Sequence, residues 1–162
     1  MSHSKRIKAS AVAEKELSKP EFNLCTKDEV KRIKDLLKLE HRTEEQWTVI
    51  KDILNSRSLV VMEPFEPTFL CRAVEHIFLD GKGLVAFTNG DDCVNYIKAY
   101  NIRSKKERNF LIGSLPFELA VDVAEKYKMD LYIDMQKEIN GEKFLCYVHG
   151  QERIKAMMWG KE

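Results

Sequence analysis

The sequence feature that constrains the fold most is an Asn-Gly pair between two short apolar runs. Asn140 and Gly141 stand between DLYIDM (residues 130–135) and KFLCYVH (residues 143–149). Asn-Gly favours the left-handed backbone of a tight turn and is the strongest short-range hairpin signal. The pair therefore predicts two adjacent antiparallel strands, so we expect the chain to contain a sheet.

Two amphipathic helices are predicted before the first strand. Thr26 with Glu29, and Thr43 with Gln46, have the spacing of capping boxes, in which two side chains satisfy backbone N–H groups at a helix start. Apolar residues then recur at helical spacing after each box. We expect the second helix to end at the sequence NSRS.

The rest of the chain predicts strands and helices in alternation. SLVVMEPF reads as a strand ended by Pro64, and residues 69–88 read as a β-hairpin around the turn DGKG. A helix follows from about Asp91, then a strand NFLIGSL, and then a helix with Pro116 in its first turn. We expect QERIKAMMW, residues 151–159, to form a short terminal helix.

This order predicts an α+β fold with a mixed sheet of about five strands, packed helices and the two amphipathic N-terminal helices. Residues 1–20 predict a flexible or helical basic arm. Residues 21–162 predict a single α+β domain, with residues 21–56 as its helical N-terminal part.

The composition is that of an ordinary globular protein, with a formal charge of +1 and 44% apolar residues. No apolar run approaches the roughly 18 residues of a membrane helix, and the first residues lack the apolar core of a secretory signal. Four widely spaced cysteines predict reduced, mostly buried thiols. We therefore expect a cytoplasmic protein without a membrane segment, a metal or a cofactor.

The corner after the strand GLVAFT is the first place to look for chemistry. TNGDD has a single glycine, Gly90, and lacks both the P-loop and the dinucleotide-binding glycine patterns. Asn89 or Asp91 is expected to cap the following helix. Ser114 is expected to be a structural cap or turn residue, because the sequence after it does not fit a nucleophile elbow.

Enzymatic activity has no readable motif in this sequence. His76, Asp91 and Asp92 are the candidates if a catalytic site exists. Cys146 and His149 are a poor pair, because residues three apart on a strand lie on opposite faces. We therefore predict that the chain is not an enzyme.

Residues 45–149 resemble the N-terminal domain of the SseB family. EEQWTVIKDILNSRSLVVM with MEPFEP is similar to the helix-into-strand opening of that domain, and DGKGLVAFTNGDDCVNYIKAY is similar to its hairpin, Phe-Thr strand end and helix. LPFELAVDVAEKYKMDLYIDM is similar to its next helix and strand, although Asp134-Met135 stands where the family commonly has Asn-Pro. The resemblance implies a compact binding module without an established catalytic site, in which Phe87 and Thr88 shape the end of the sheet.

The leading prediction is accordingly a non-enzymatic protein-interaction or regulatory module with an unidentified protein partner. An accessory or inhibitor protein of a mobile element stays open within this class, as does a homo-oligomer. Trp47 is predicted to pack in the core. The predicted partner-binding residues are the basic ones after the third helix and a terminal aromatic residue: Arg103, Lys105, Lys106, Arg108 and Trp159.

The alternative prediction is nucleic-acid binding. Residues 1–40 hold ten Lys or Arg against seven Asp or Glu, which makes the N-terminal region locally basic. Backbone phosphates are bound by clustered Lys and Arg, with a steep dependence on salt. The residues predicted for this function are Lys5, Arg6, Lys8, Arg103, Lys105, Lys106 and Arg108.

Overall fold

A computed structural model describes residues 7–8, 19–64, 83–104, 110–136 and 141–158. The strands and helices follow one another along these ranges in the order that the sequence suggests, with two exceptions: a short strand within the predicted arm and a strand at the C-terminal end. The elements are β1 (Ile7–Lys8), a 3-10 turn (Pro20–Phe22), α1 (Lys27–Lys38), α2 (Glu44–Asn55), β2 (Ser58–Pro64), β3 (Gly83–Ala86), α3 (Gly90–Ser104), β4 (Phe110–Pro116), α4 (Phe117–Lys126), β5 (Asp130–Ile133), β6 (Lys143–Val148) and β7 (Arg153–Met158).

The capping boxes start α1 and α2, as predicted. Thr26 Oγ1 accepts from Glu29 N at 3.1 Å, and Glu29 Oε1 accepts from Thr26 N at 2.8 Å. Thr43 and Gln46 repeat the arrangement at 3.2 Å and 2.9 Å. Each box satisfies two backbone N–H groups that have no acceptor within the helix.

The α+β class and the mixed strand pairing are confirmed, but a single sheet of about five strands is not what forms. The described strands make a three-stranded antiparallel sheet, β1-β4-β2, and a four-stranded sheet, β3-β5-β6-β7, in which only β3 and β5 are parallel. β2 pairs along its length with β4 and meets the other sheet at one bridge, where Val60 and Phe87 exchange hydrogen bonds of 2.7 Å and 3.0 Å. Hydrophobic runs indicate where strands form but not which strands pair, so the division into two sheets could not be predicted from them.

The predicted terminal helix is wrong, because residues 153–158 form β7. This strand pairs antiparallel with β6, from Val148 opposite Arg153 to Lys143 opposite Met158. Its side chains alternate between two apolar clusters: Ala156 packs against one and Met157 against the other. Both faces of the segment are used at period two, which a helix cannot provide.

Apolar clusters lie on both faces of the four-stranded sheet, so β3 and most positions of β5 and β6 are apolar. In β3, Leu84 and Ala86 face one cluster with α1, α2 and α4, while Val85 faces a second cluster with α3. β5 and β6 alternate in the same way. Trp47 is half-buried and packs against the first cluster, in agreement with its predicted core role.

The predicted pairing of β5 with β6 is confirmed, whereas the predicted hairpin over residues 69–88 and the predicted arm over residues 1–20 lie only partly within the described residues. β5 and β6 are antiparallel, as the Asn-Gly signal predicted, and Gly141 has a left-handed φ of 84°. The first arm of the hairpin predicted over residues 69–88 lies outside the described residues, and β3 pairs in parallel with β5. Most of the predicted arm, residues 1–20, lies outside them too, although Ile7–Lys8 pair with β4.

Candidate functional site

The corner after β3 holds a polar cluster that joins the ends of the two parallel strands. Thr88 N donates to Asp134 Oδ1 at 2.7 Å, and Thr88 Oγ1 donates to Asp134 Oδ2 at 2.6 Å. Thr88 is buried, and Asp134 has a left-handed φ of 63°, which aspartate tolerates better than most residues. Because β3 and β5 run parallel, their carboxyl ends meet at one edge and bring these side chains together.

The cluster extends from the sheet to α3 and α1. Asn89 Oδ1 accepts from Asp92 N at 2.9 Å, so Asn89 caps α3 as predicted. Asn89 Nδ2 donates to Thr88 Oγ1 at 3.0 Å and to Asp92 Oδ2 at 3.1 Å. Lys34 Nζ donates to the same Asp92 oxygen at 2.8 Å, which links α1 to the start of α3.

The electrostatics of this cluster keep one carboxyl near its titration point at neutral pH. Burial, assisted by the charge of Asp92, raises the pKa of Asp134 to about 7, although the hydrogen bonds from Thr88 act in the opposite direction. Partial burial would lower the pKa of Lys34, but the hydrogen bond and charge of Asp92 raise it overall. Lys34 therefore carries a positive charge at neutral pH.

Lys34, Thr88, Asn89, Asp92 and Asp134, which we call the polar corner, join four elements (α1, β3, α3 and β5) through bonds to one another. Of the residues named as catalytic candidates, Asp92 pairs with Lys34, Asp91 is exposed on the first turn of α3, and His76 lies outside the described residues. Ser114 is buried within β4, opposite Val60, so it is a strand residue and not the cap or turn that was predicted. The strand continues to Pro116, and α4 begins only at Phe117.

A second polar cluster lies at the turn between β6 and β7. Glu125 Oε1 accepts from Tyr147 Oη at 2.8 Å and from Gly150 N at 2.9 Å, and Glu125 Oε2 lies 2.9 Å from His149 Nδ1. The bond from Gly150 N, followed by that from Tyr147, lowers the pKa of Glu125. His149 thus contacts Glu125, whereas the Cys146 thiol is buried and directed at the Tyr147 carbonyl.

A groove between α1 and the start of β6 is open to solvent. It has a volume of about 380 Å³ and is lined by Lys34, Leu37, Lys38, Gly141, Glu142 and Lys143; we call it the α1–β6 groove. Lys143 Nζ donates to the Leu39 carbonyl at 2.9 Å, which fixes β6 against the end of α1. The Lys38 side chain is 80% exposed. The lining thus contains three lysines, one glutamate and one leucine.

A second cleft, of about 400 Å³, is more polar and more tightly braced. Its lining consists of Pro20, Glu21, Asn23, Asn55, Ser56, Arg57, Ser58 and Pro116. Arg57 Nε donates to Glu29 Oε1 at 2.8 Å, and one of its terminal nitrogens donates to Asn23 Oδ1 at 3.0 Å. The guanidinium is thus held by neighbours that position the 3-10 turn and α1.

Few of the residues predicted to bind a protein partner or a nucleic acid lie in the described part of the chain. Arg103 lies in α3 and Lys8 in β1, each described by its backbone. The others lie outside the described residues: Lys5, Arg6, Lys105, Lys106, Arg108 and Trp159. Their roles stay predictions.

Sequence reasoning missed the α1–β6 groove. Lys34 and Lys38 are four residues apart and therefore share one face of α1, which is a signal that could have found half of it. Lys143 comes from a distant strand, and nothing local connects it with α1.

The described cysteines are free thiols in protected places. Cys93 and Cys146 are buried and Cys25 is half-buried. Burial raises the pKa of all three, to about 12 for Cys25 and Cys146. Within the described ranges, no group of three His, Cys, Asp or Glu side chains is arranged to hold a metal ion.

No helix in the described part of the chain is both long and apolar enough to cross a membrane. Comparison with known proteins found no match among protein-family models, curated proteins or solved structures.

Proposed function

We propose that the chain is a non-enzymatic protein-interaction module of the cytoplasm and that the α1–β6 groove is its binding surface. The observation that supports this most is the contrast between the groove and the two polar clusters. Within each cluster the polar side chains bond to other members of the same cluster, whereas the groove presents the exposed Lys38 side chain to solvent. Protein-binding surfaces commonly combine an apolar centre with a polar rim.

The geometry of the polar corner favours a structural role for it. Thr88, Asn89 and Asp92 are bonded to one another and to residues of α1 and β5. These bonds join the ends of β3 and β5 to α3 and α1. The corner is therefore the part of the proposed module that holds α1, and with it one wall of the groove.

The resemblance to the SseB family N-terminal domain supports the same class of function, because it implies a module without an established catalytic site. Free, buried Cys93 and Cys146 suit a reducing compartment such as the cytoplasm. The partner under this proposal is a protein.

The test is affinity capture from lysate of the source organism, with nuclease-treated and untreated samples in parallel. The baits are the full chain and two single variants of it. Lys38→Glu reverses an exposed charge in the groove, and Lys51→Glu reverses an exposed charge on α2 outside it. We expect a stoichiometric protein that the wild type and Lys51→Glu retain and Lys38→Glu loses. Retention of nucleic acid alone in untreated lysate, released by salt, would overturn the proposal and favour the basic arm and loop.

A further inference from the structure

We propose that the α1–β6 groove binds an acidic peptide segment of the partner, with an aliphatic side chain of that segment packed on Leu39 at the edge of the groove. This inference rests on the proposed function, since it names the chemistry of the partner at the same surface. Four features of the described residues support it: the sign of the charge, the exposed leucine, the size of the groove and its fixed walls.

The groove has more basic than acidic lining residues, three lysines against one glutamate. Lys34 and Lys38 lie one turn apart on α1, and Lys143 lies across from them on β6. Lys34 already pairs with Asp92, which balances its charge. It can therefore offer a partner only the N–H groups that do not bond to Asp92. Lys38 reaches Asp35 only at 4.0 Å and is 80% exposed, so its ammonium can pair with a new carboxylate.

The apolar surface at the groove comes from two leucines. Leu37 lines the groove but is almost fully buried, and Leu39, just past the end of α1, is 40% exposed beside it, where its carbonyl accepts from Lys143. Leu39 is the one large hydrophobic side chain that is exposed in the described part of the chain. An aliphatic side chain of a partner would cover it, and removing such surface from water favours binding.

The size and lining of the groove favour a peptide over a nucleic acid. A volume of about 380 Å³ accommodates a few side chains. None of the described lining residues is aromatic, so no base-stacking platform is present among them. A peptide backbone N–H can donate to the carboxylate of Glu142, whereas the sugar-phosphate backbone of DNA has no donor to offer it.

The walls of the groove are set before a partner arrives. Lys143 and Arg42 both donate to carbonyl groups at the end of α1: Lys143 to Leu39, and Arg42 to Leu36, Leu37 and Leu39. These cations satisfy the carbonyls that a helix end leaves free and oppose its negative dipole. A preformed surface lowers the ordering cost of binding.

The probe is a fluorescein-labelled peptide, Gly-Glu-Glu-Leu-Glu-Glu-Gly, titrated with the full chain and followed by fluorescence anisotropy. The control peptides replace each Glu by Gln or the Leu by Ala, and a labelled 12-nucleotide single strand and inorganic phosphate are tested in parallel. The variants are Lys38→Glu, Lys38→Gln and Lys51→Glu, which changes the net charge as Lys38→Glu does but lies outside the groove.

We expect saturable binding that Lys38→Glu weakens roughly three- to tenfold and Lys38→Gln about two- to threefold, as for exposed charge pairs. Lys51→Glu should leave the affinity within about twofold of the wild type. The Gln peptide should not bind measurably, and the Ala peptide should bind more weakly than the Leu peptide.

The inference is overturned if the acidic peptide fails to bind, or if Lys38→Glu and Lys51→Glu weaken peptide binding equally. It is also overturned if phosphate at the same concentration of charge displaces the peptide, or if the oligonucleotide binds more tightly than the peptide. A failure of the peptide together with capture that still depends on Lys38 would reject the acidic partner and leave the interaction module standing. A failure of both experiments would reject the proposed function as well.

Discussion

Thr88 and Asp134 are 46 positions apart in the chain, and two hydrogen bonds of 2.7 Å and 2.6 Å join them. The pair connects the carboxyl ends of the parallel strands β3 and β5, and Asn89 continues the connection to the start of α3. A buried hydroxyl thus links the sheet to a helix on one side and to a carboxylate on the other.

Replacing Thr88 by Val should destabilise the protein by about 1–3 kcal/mol, the usual cost of leaving a buried polar partner unsatisfied. Val keeps the branched shape but removes the donor to Asp134 Oδ2 and the acceptor for Asn89 Nδ2. Equilibrium urea unfolding measures the change. The control is Thr48→Val on α2, where the hydroxyl is exposed, and it should change the unfolding free energy by less than about 0.5 kcal/mol. Equal effects of the two substitutions would contradict the role of Thr88.

The carboxyl of Asp134 should make stability depend on pH around neutrality. Its pKa in the folded protein is about 7, above its ordinary value of 3.8, so the folded state binds more protons between these values. The protonated carboxyl therefore contributes stability that is fully present below about pH 4 and is lost as the pH rises through 7. The slope for one such group approaches about 1.4 kcal/mol per pH unit.

Asp134→Asn isolates this contribution, because Asn can still accept from Thr88 N but does not titrate. We expect the unfolding free energy of the wild type, measured relative to the variant, to fall between about pH 5 and pH 8. Other groups, including Glu125 with its lowered pKa, contribute to both proteins and cancel in the difference. Parallel curves for the two proteins over this range would show that Asp134 does not titrate there.

The capping box of α2 should contribute to stability independently of the polar corner. Thr43→Ala removes the acceptor for Gln46 N and should cost about 0.5–2 kcal/mol. Thr43→Ser keeps a capping hydroxyl and should stay within a few tenths of a kcal/mol of the wild type. Urea unfolding of the two variants compares them directly, and a Ser variant as unstable as the Ala variant would argue against the cap.

Elements fixed by interactions between residues close in the sequence were the ones predicted correctly. The box of Thr26 and Glu29 was predicted correctly because both partners lie within one turn of helix and their chemistry is local. The antiparallel pairing of β5 and β6 was predicted for the same reason, from the turn between them. The assignment of β7 failed because the six residues RIKAMM are too few for their apolar positions to distinguish a helix from a strand.

The candidate site could not be predicted because its parts meet only after folding. Lys143 Nζ reaches the Leu39 carbonyl across 104 positions of sequence, and this contact forms one side of the groove. The bond between Thr88 and Asp134 likewise depends on β3 and β5 being parallel neighbours. Local patterns give each residue its element, but the partner of each strand is decided by the packing of the whole sheet.

The described thiols should resist alkylation in the folded protein, and Cys25 is the informative one because it is only half-buried. Burial, with the charges of Asp134 and Glu29, raises its pKa to about 12, so only about one part in ten thousand is thiolate at pH 8.

The measurement is the rate of modification of each cysteine by N-ethylmaleimide at pH 8, resolved by peptide mass spectrometry. A Lys51→Cys variant supplies an exposed thiol in the same protein as the positive control. Cys25 should react about a thousandfold more slowly than that thiol, because the thiolate is the reactive form. All thiols should react alike in urea. Comparable native rates for Cys25 and the introduced cysteine would mean that the packing around Cys25, and the negative charge beside it, does not hold in solution.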